Sequence, residues 1–348
     1  MLSVPFRLAR RSIGSAARRV PLAFAFDIDG VLIRGPEVIP AAQRALRFLD
    51  GHNPLRAKIP FILITNGGGE LESVKVQKLS KQLDFPIYEE QFVQSHTVLR
   101  KLVAEYSNKP VLVLGGKGDT GRRIAQHYGF KDVYIPLDVL AWQPSVWPLG
   151  AEFISPSDLN IARRADFSRT PIEAVFVLHD PRPSWFLEIQ VVTDILRSQY
   201  LTAAAPPPKL VFCNPDLLWR GQFPKSRLGQ GGFREALMGV YRALEGKEYP
   251  YKMFGKPTRE TYDFAKNLLR AQLGSDLTHT RIYMVGDNPE SDIAGANAAG
   301  WHSALVRTGV YDPAHGKPAH EPTFEAEDVD EAVLEAFKRE CGPEPRTP

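Results

Sequence analysis

Cysteine is nearly absent from this 348-residue chain: Cys213 and Cys341 stand far apart, without metal-ligand spacing. That excludes a disulfide framework and a thiolate metal site, and it points to a reducing compartment. Long apolar runs are lacking as well. No uncharged stretch approaches the roughly 18 residues a bilayer-spanning helix needs, so no transmembrane segment is expected. A broadly basic body is missing too, despite a formal net charge of +3. Arg7, Arg10, Arg11, Arg18 and Arg19 lie in the first twenty residues and no acid precedes Asp27; subtracting those five charges from +3 leaves −2 for the remainder. A near-neutral body gives no sign of nucleic-acid affinity. Internal repeats and low-complexity tracts are also absent.

What the first twenty residues do contain is a mixture. Ser3, Ser12 and Ser15 and the apolar Leu2, Val4, Phe6, Leu8 and Ile13 alternate with the arginines. This composition reads as a mitochondrial transit peptide over residues 1–20, with the matrix as the expected location. The other reading is a disordered basic tail, or an arm on an anionic lipid surface. Intermixed apolar and basic residues favour import.

From residue 21 the chain alternates short apolar runs with helical patterns, as an α/β fold with a mostly parallel sheet does. Strands are expected at 22–26, 61–65, 111–114, 174–178, 210–212, 281–285 and 303–306. Helices are expected at 41–50, 70–83, 121–128, 184–197, 233–244, 259–273 and 292–299. The segment 141–171, with its prolines and Trp142 and Trp147, interrupts the rhythm, and 203–208 is a proline-rich connector.

The strongest chemical signal is Phe24-Ala25-Phe26-Asp27-Ile28-Asp29-Gly30. An apolar strand delivers two carboxylates at its carboxyl end, and a spacing of two points both to the same side of extended chain. The crevice beyond such strand ends is where open α/β sheets bind ligands. Gly30 lets the chain turn and lets backbone N–H groups approach an anion. One carboxylate can attack phosphorus to form an acyl phosphate, and its neighbour can protonate the leaving oxygen and then activate water. Three further elements fit that chemistry. Thr65, at the end of Ile62-Leu63-Ile64, offers a hydroxyl to a phosphate oxygen. Lys256, in Phe254-Gly255-Lys256-Pro257, can neutralise the nucleophile and the transferring group. Asp287, in Met284-Val285-Gly286-Asp287-Asn288, and Asp292 follow a third strand, and Asp27 with Asp287 suits the oxygen-rich octahedral shell of magnesium.

These four elements, in this order, resemble the haloacid dehalogenase superfamily of phosphotransferases. The resemblance implies a Rossmann-like core, with Asp27 as nucleophile, Asp29 as acid and base, Thr65 on phosphate, Lys256 for charge stabilisation, and Asp287 and Asp292 at a Mg2+ site. It adds the backbone carbonyl of Asp29 as a metal ligand. An aspartate at position 29 separates phosphatases from the dehalogenases and from the ion pumps, which carry threonine there. The interval between Thr65 and Lys256 is long enough for an inserted α/β cap. Val93-Gln94-Ser95-His96, residues 111–116 and 174–180, and Phe212-Cys213-Asn214-Pro215-Asp216 look like landmarks of the class IIA, NagD-like cap. The basic leader and the tryptophan-bearing segment look most like the mitochondrial subgroup named after the cat eye syndrome critical region. Some fungal members of that subgroup are fused to a phosphatidyltransferase; lacking a membrane-spanning run, this chain is not expected to contain one.

The expected division is a transit peptide at 1–20, core at 21–94, cap at 95–227, core again at 228–340 and a tail at 341–348. Gly30, Asn66, Trp185, Asn214 and Asp216 are the expected substrate contacts, with Trp185 at a cap tip reading Asp180-Pro181-Arg182-Pro183-Ser184-Trp185. Two departures, that tip and Thr65-Asn66-Gly67-Gly68-Gly69 where a serine-rich run is common, keep substrate identity from being carried over. The expected function is magnesium-dependent hydrolysis of a small phosphorylated metabolite. The alternative is a catalytically weak mitochondrial binding protein of the same fold, linked to glycerophospholipid metabolism. A homodimer is left open.

One rival motif stands inside the cap. Gly116-Lys117-Gly118-Asp119-Thr120-Gly121 matches G-x-G-x-x-G, with Asp138 downstream, and alone it would suggest a dinucleotide. Similar caps carry a glycine-rich turn there without one, and Arg122 and Arg123 fall where a P-loop needs Lys and Ser or Thr. His96, His179 and His302 lack ligand spacing and read as surface or internally satisfied histidines. Trp142 and Trp147 read as packing residues, and Arg163, Arg164 and Arg169 as a solvated face.

Overall fold

The computed structural model describes residues 21–148, 155–181, 185–219, 223, 225–274 and 277–342. The expected transit peptide, residues 182–184 of the expected cap tip, and 343–348 lie outside the described residues. Two parallel sheets organise the chain. The first contains β1 (Leu22–Phe26), β4 (Phe61–Ile64), β5 (Phe92–Val93), β13 (Arg281–Gly286), β14 (His302–Val306) and β15 (Phe324–Ala326) in the order β15-β14-β13-β1-β4-β5. The second contains β6 (Val111–Gly116), β7 (Val133–Tyr134), β8 (Ala174–Pro181), β9 (Lys209–Phe212) and β12 (Tyr251–Met253) in the order β12-β9-β8-β6-β7. Two short antiparallel ribbons accompany them, β2 (Ile33–Arg34) with β3 (Glu37–Val38), and β10 (Leu218–Trp219) with β11 (Arg227–Leu228).

The sequence of β1, Leu-Ala-Phe-Ala-Phe, shows why the first sheet is covered on both faces. Leu22, Phe24 and Phe26 join one apolar cluster with the helices Pro40–Leu49 and Val329–Cys341. Ala23 and Ala25 face the other way, where their small side chains let the helix Arg259–Leu273 approach through Tyr262, Ala265 and Leu269. Continuous burial of this kind is what parallel strands require. Burying Phe24 or Phe26 fully contributes roughly 1.5–3 kcal/mol each. The second sheet repeats the pattern: Val111, Val113, Phe176 and Val211 pack on the helix Thr120–Tyr128, while Leu112, Val175, Val177 and Phe212 pack on Trp185–Leu196 and Gln230–Glu245.

Each expected strand is present within a few residues at its ends. β5, β7, β12 and β15 were not expected, being two or three residues long. Strand pairing also carries the inserted layer past the expected boundary at residue 227, because Gln230–Glu245 packs on the second sheet and β12 pairs with β9. Trp142 lies edge-on to Phe167 and Tyr200, with ring centroids 5.7 Å away in each case, as packing residues do. Among the described residues no helix is long and apolar enough to cross a membrane.

Candidate active site

The site forms where β1, β4 and β13 end side by side. The Asp27 N–H still donates to the Val285 carbonyl at 3.0 Å, continuing the β1–β13 pairing. Beyond it the Ile28 carbonyl accepts from the N–H groups of Val31, Leu32 and Ile33, which reverses the chain. Gly30 makes this turn with φ +87°, and a Cβ there would lie 2.4 Å from Asp287 Oδ2. Any side chain would displace that carboxylate, so Gly30 supports Asp287 and does not reach the cavity wall.

Lys256 is 1% exposed and its ammonium bridges two acids, 2.8 Å from Asp27 Oδ1 and 2.7 Å from Asp292 Oδ1. Burial alone would lower its pKa, but Asp27 and Asp292 outweigh that and hold it protonated. Its backbone is clamped by Asn66, whose Oδ1 accepts from the Lys256 N–H (2.7 Å) while Nδ2 donates to the Lys256 carbonyl (3.0 Å). The same Nδ2 donates to Asp216 Oδ1 at 3.0 Å, and Asn214 Nδ2 donates to the Asn66 carbonyl at 2.8 Å. Asn66, Asn214 and Asp216 therefore brace three loops together at the cavity wall. Burial, foremost, pushes the Asp216 carboxyl up to about 7.

One carboxylate oxygen from each of Asp27, Asp287 and Asp292 lies within 4.8 Å of the others. Asp287 Oδ2 accepts from the Val310 N–H at 2.6 Å, and Asp292 Oδ2 from the Asn288 N–H at 3.1 Å. Burial first, then the neighbouring carboxylates Asp27 and Asp292, raises Asp287 well above the usual range. Burial also raises Asp292, to about 6, with Lys256 opposing it. Three buried carboxylates facing one ammonium leave an excess of negative charge that a hard, oxygen-seeking divalent cation would neutralise. The donor set thus fits magnesium. Asp29 is half-buried beside them, its pKa raised to about 6 by burial and then by Asp27.

A cavity of about 260 Å³ opens above these groups and is lined by Asp27, Asp29, Thr65, Asn66, Asn214, Asp216 and Asp287. Lys256 and Asp292 lie beneath it. A larger cavity of about 960 Å³ sits at the amino ends of the second sheet's strands, among Tyr106, Tyr241 and Tyr249, away from every paired acid described above. The chemistry favours the smaller one.

Trp185 is a correction. It starts the helix Trp185–Leu196 and turns into the second layer's apolar cluster, edge-on to Phe233 with ring centroids at 5.8 Å, and it does not line the cavity. The aromatic that does is Trp219, 44% exposed on the β10–β11 ribbon beside Leu218. Lys75 and His179 also line it. His179 stands near the carboxyl end of β8, a position that could have flagged it; Lys75 and Trp219 carry no comparable local signal.

His96 is fully buried and braces the adjoining loop. Its Nε2 accepts from the Gly69 N–H at 3.1 Å, so Nδ1 carries the proton and donates to Tyr128 Oη at 2.7 Å; Tyr128 in turn donates to Glu72. Burial, with Arg100 adding and Glu72 opposing, depresses the His96 pKa to about 4. Because the unfolded chain binds the proton near 6.5, neutral His96 contributes stability above that pH, lost as pH falls toward and through about 4. Lowering the pH from 7 to 4.5 should therefore reduce the thermal midpoint more in the wild type than in His96→Gln, the difference corresponding to on the order of 3 kcal/mol. Parallel pH curves for the two proteins would contradict this role.

The comparisons with known proteins fall on the same residues. A model described as haloacid dehalogenase-like hydrolase matches residues 24–131, and a second, described as HAD-hydrolase-like, matches 253–332. A Schizosaccharomyces pombe protein described as a cardiolipin synthase (CMP-forming) / mitochondrial hydrolase fusion is 41% identical, over 94% of this chain and 55% of its own length. The chain thus spans about half of that relative. A mitochondrial hydrolase of Saccharomyces cerevisiae is 34% identical over 91% of this chain and 96% of its own. The glycerol phosphate phosphatase of Mycobacterium tuberculosis, solved with magnesium, superposes with a TM-score of 0.60 at 19% identity, over 90% of this chain and 75% of that one; this likeness speaks to the fold. The two matched segments carry the ends of β1, β4 and β13 between them, and a relative is matched along nearly its whole length: the chain belongs to the haloacid dehalogenase-like hydrolases.

Proposed function

We propose that the protein is a magnesium-dependent phosphatase that hydrolyses a small phosphorylated metabolite through a phospho-aspartate on Asp27. The observation that carries this reading is the Asp27 carboxylate at the cavity wall, ion-paired to a buried lysine, with a second, half-buried carboxyl of raised pKa two residues on. A carboxylate oxygen of Asp27 attacks phosphorus while the ester P–O bond breaks. Asp29, whose pKa of about 6 keeps part of it protonated near neutrality, gives its proton to the leaving oxygen. It then takes a proton from water as that water attacks the acyl phosphate; the phosphorus–Asp27 bond breaks and phosphate leaves. Thr65 Oγ1 accepts from the Gly67 N–H at 2.9 Å, which leaves its own hydrogen for a phosphate oxygen. Lys256 balances the charge at Asp27. Asp27, Asp287 and Asp292, with the Asp29 carbonyl, would hold Mg2+, which supplies charge neutralisation for the phosphoryl oxygens.

The relatives' names support a mitochondrial setting, and the fusion named in the S. pombe protein supports a place near glycerophospholipid metabolism. The test is a panel of phosphomonoesters, glycerophosphate esters included, assayed with magnesium and with excess chelator. Phosphate release should fall by roughly 10²-fold or more on metal removal and return with added magnesium. Full turnover in chelator would refute the reading.

A further inference from the structure

The G-x-G-x-x-G segment borders a second cavity. This cavity, of about 410 Å³, lies between the core loop Gly68–Gly69 and the turn that follows β6, and Lys117, Thr120 and Arg123 line it. Gly68 and His179 line both this cavity and the catalytic one, so the two are neighbours across a shared wall. The glycines explain how the turn comes so close. A Cβ at Gly115, which has φ +117°, would lie 2.7 Å from the His179 backbone nitrogen, and one at Gly69 would lie 2.7 Å from the His179 ring. These contacts press the end of β6, the end of β8 and the core loop together and bring the cations of the turn beside the catalytic cavity.

The cations differ in their partners. Arg123 is fixed by Asp119, with Nε 3.1 Å from its carboxylate, and by Thr120 Oγ1. Lys117 is exposed and forms no ion pair among the described residues, and Thr120 donates to its carbonyl at 2.6 Å, which pins the turn. Glu70, the acid on the opposite wall, is already paired with Lys78. The cavity therefore offers positive charge beside a site built to receive a phosphoryl group.

We propose that this cavity is the subsite for a second anionic group on the leaving portion of the substrate, so that the substrate class is a phosphomonoester carrying a further carboxylate or phosphate. The inference rests on placing the phosphoryl group in the adjoining cavity. Lys117 and Arg123 act on binding and specificity and touch no reacting atom. His179, in the shared wall, is where the linker between the two anionic groups passes.

The test is calorimetric binding of two probe series of increasing chain length, ω-phosphonocarboxylates and α,ω-bisphosphonates, each against the alkylphosphonate of equal length. The full chain with magnesium is used, as wild type and as the Lys117→Gln/Arg123→Gln double variant. The best diacid should bind the wild type about tenfold or more tightly than its monoacid, as a charge-assisted hydrogen bond provides, and the double variant should lose that ratio. Which series shows the larger ratio identifies the second anion. Both positions are exposed, so an unchanged thermal midpoint is expected and checks folding. Equal binding of diacid and monoacid at every length, or a ratio that survives in the double variant, overturns the subsite. Neither result depends on turnover: absence of Asp27-dependent hydrolysis would sink the phosphatase reading separately.

Discussion

Asp27→Asn should release no phosphate from any substrate, whereas Asp29→Asn should slow the first half of the reaction and lose the second. The two residues are two apart in sequence and open on the same cavity, but their surroundings differ. Asp27 is held by the Lys256 ammonium at 2.8 Å, which fixes one of its carboxylate oxygens in place. Asp29 sits where burial raises its pKa to about 6, so that a fraction of it carries the proton near neutrality. An amide at 27 cannot attack phosphorus. An amide at 29 neither protonates the leaving oxygen nor activates water, and overall turnover should fall by roughly 10²–10⁴-fold. Comparable residual turnover in both variants would remove the division of labour.

Lys256→Met should cost more stability than any other single change to the site, and should lower the rate as well. It leaves Asp27, Asp287 and Asp292 clustered without their buried counter-charge, and breaking a buried pair by removing one partner costs about 3–5 kcal/mol. Loss of charge balance at the nucleophile should lower turnover by roughly 10²–10³-fold. Added magnesium should recover part of the thermal midpoint, because the cation replaces some of the missing charge at the three carboxylates. The measurement is the midpoint of wild type and variant with and without magnesium. A variant as stable as wild type in chelator would show that the acids do not depend on Lys256.

Much of the candidate site was legible in the sequence because Asp27, Thr65 and Asp287 each stand just beyond a largely apolar run. Leu22–Phe26 is apolar throughout and Arg281–Gly286 is apolar after its first residue, as buried strands are, and polar groups just beyond such strands share one edge of the sheet. Asp27, Thr65 and Asp287 follow from that logic. The bracing role of Asn66 does not, since its partners Asp216 and Lys256 lie 150 and 190 residues away in the chain and no periodicity reports such pairings. The position of Trp185 was misread for a related reason. Proximity to the cap tip in sequence suggested proximity to substrate, but the first residue of an apolar helix packs inward, here onto Phe233. Trp219 escaped notice because β10 and β11 are two residues each, too short for an alternating pattern to report their pairing, Leu218 with Leu228. In Gly116–Gly121 the glycine pattern was visible and its surroundings were not: a Cβ at Gly116 would meet Thr120 and the Gly69 carbonyl, the preceding Gly115 makes the close approach to His179, and no local pattern encodes which backbone arrives.

The account turns on a covalent intermediate at one residue. Asp29→Asn should be mixed with a phosphomonoester labelled in its phosphoryl group, in magnesium, quenched in acid and digested. The account predicts an acid-stable, base-labile label on the peptide bearing Asp27, near one per chain, absent from Asp27→Asn/Asp29→Asn. Hydrolysis of the substrate with no label on that peptide at any quench time, or label on another residue, would contradict it.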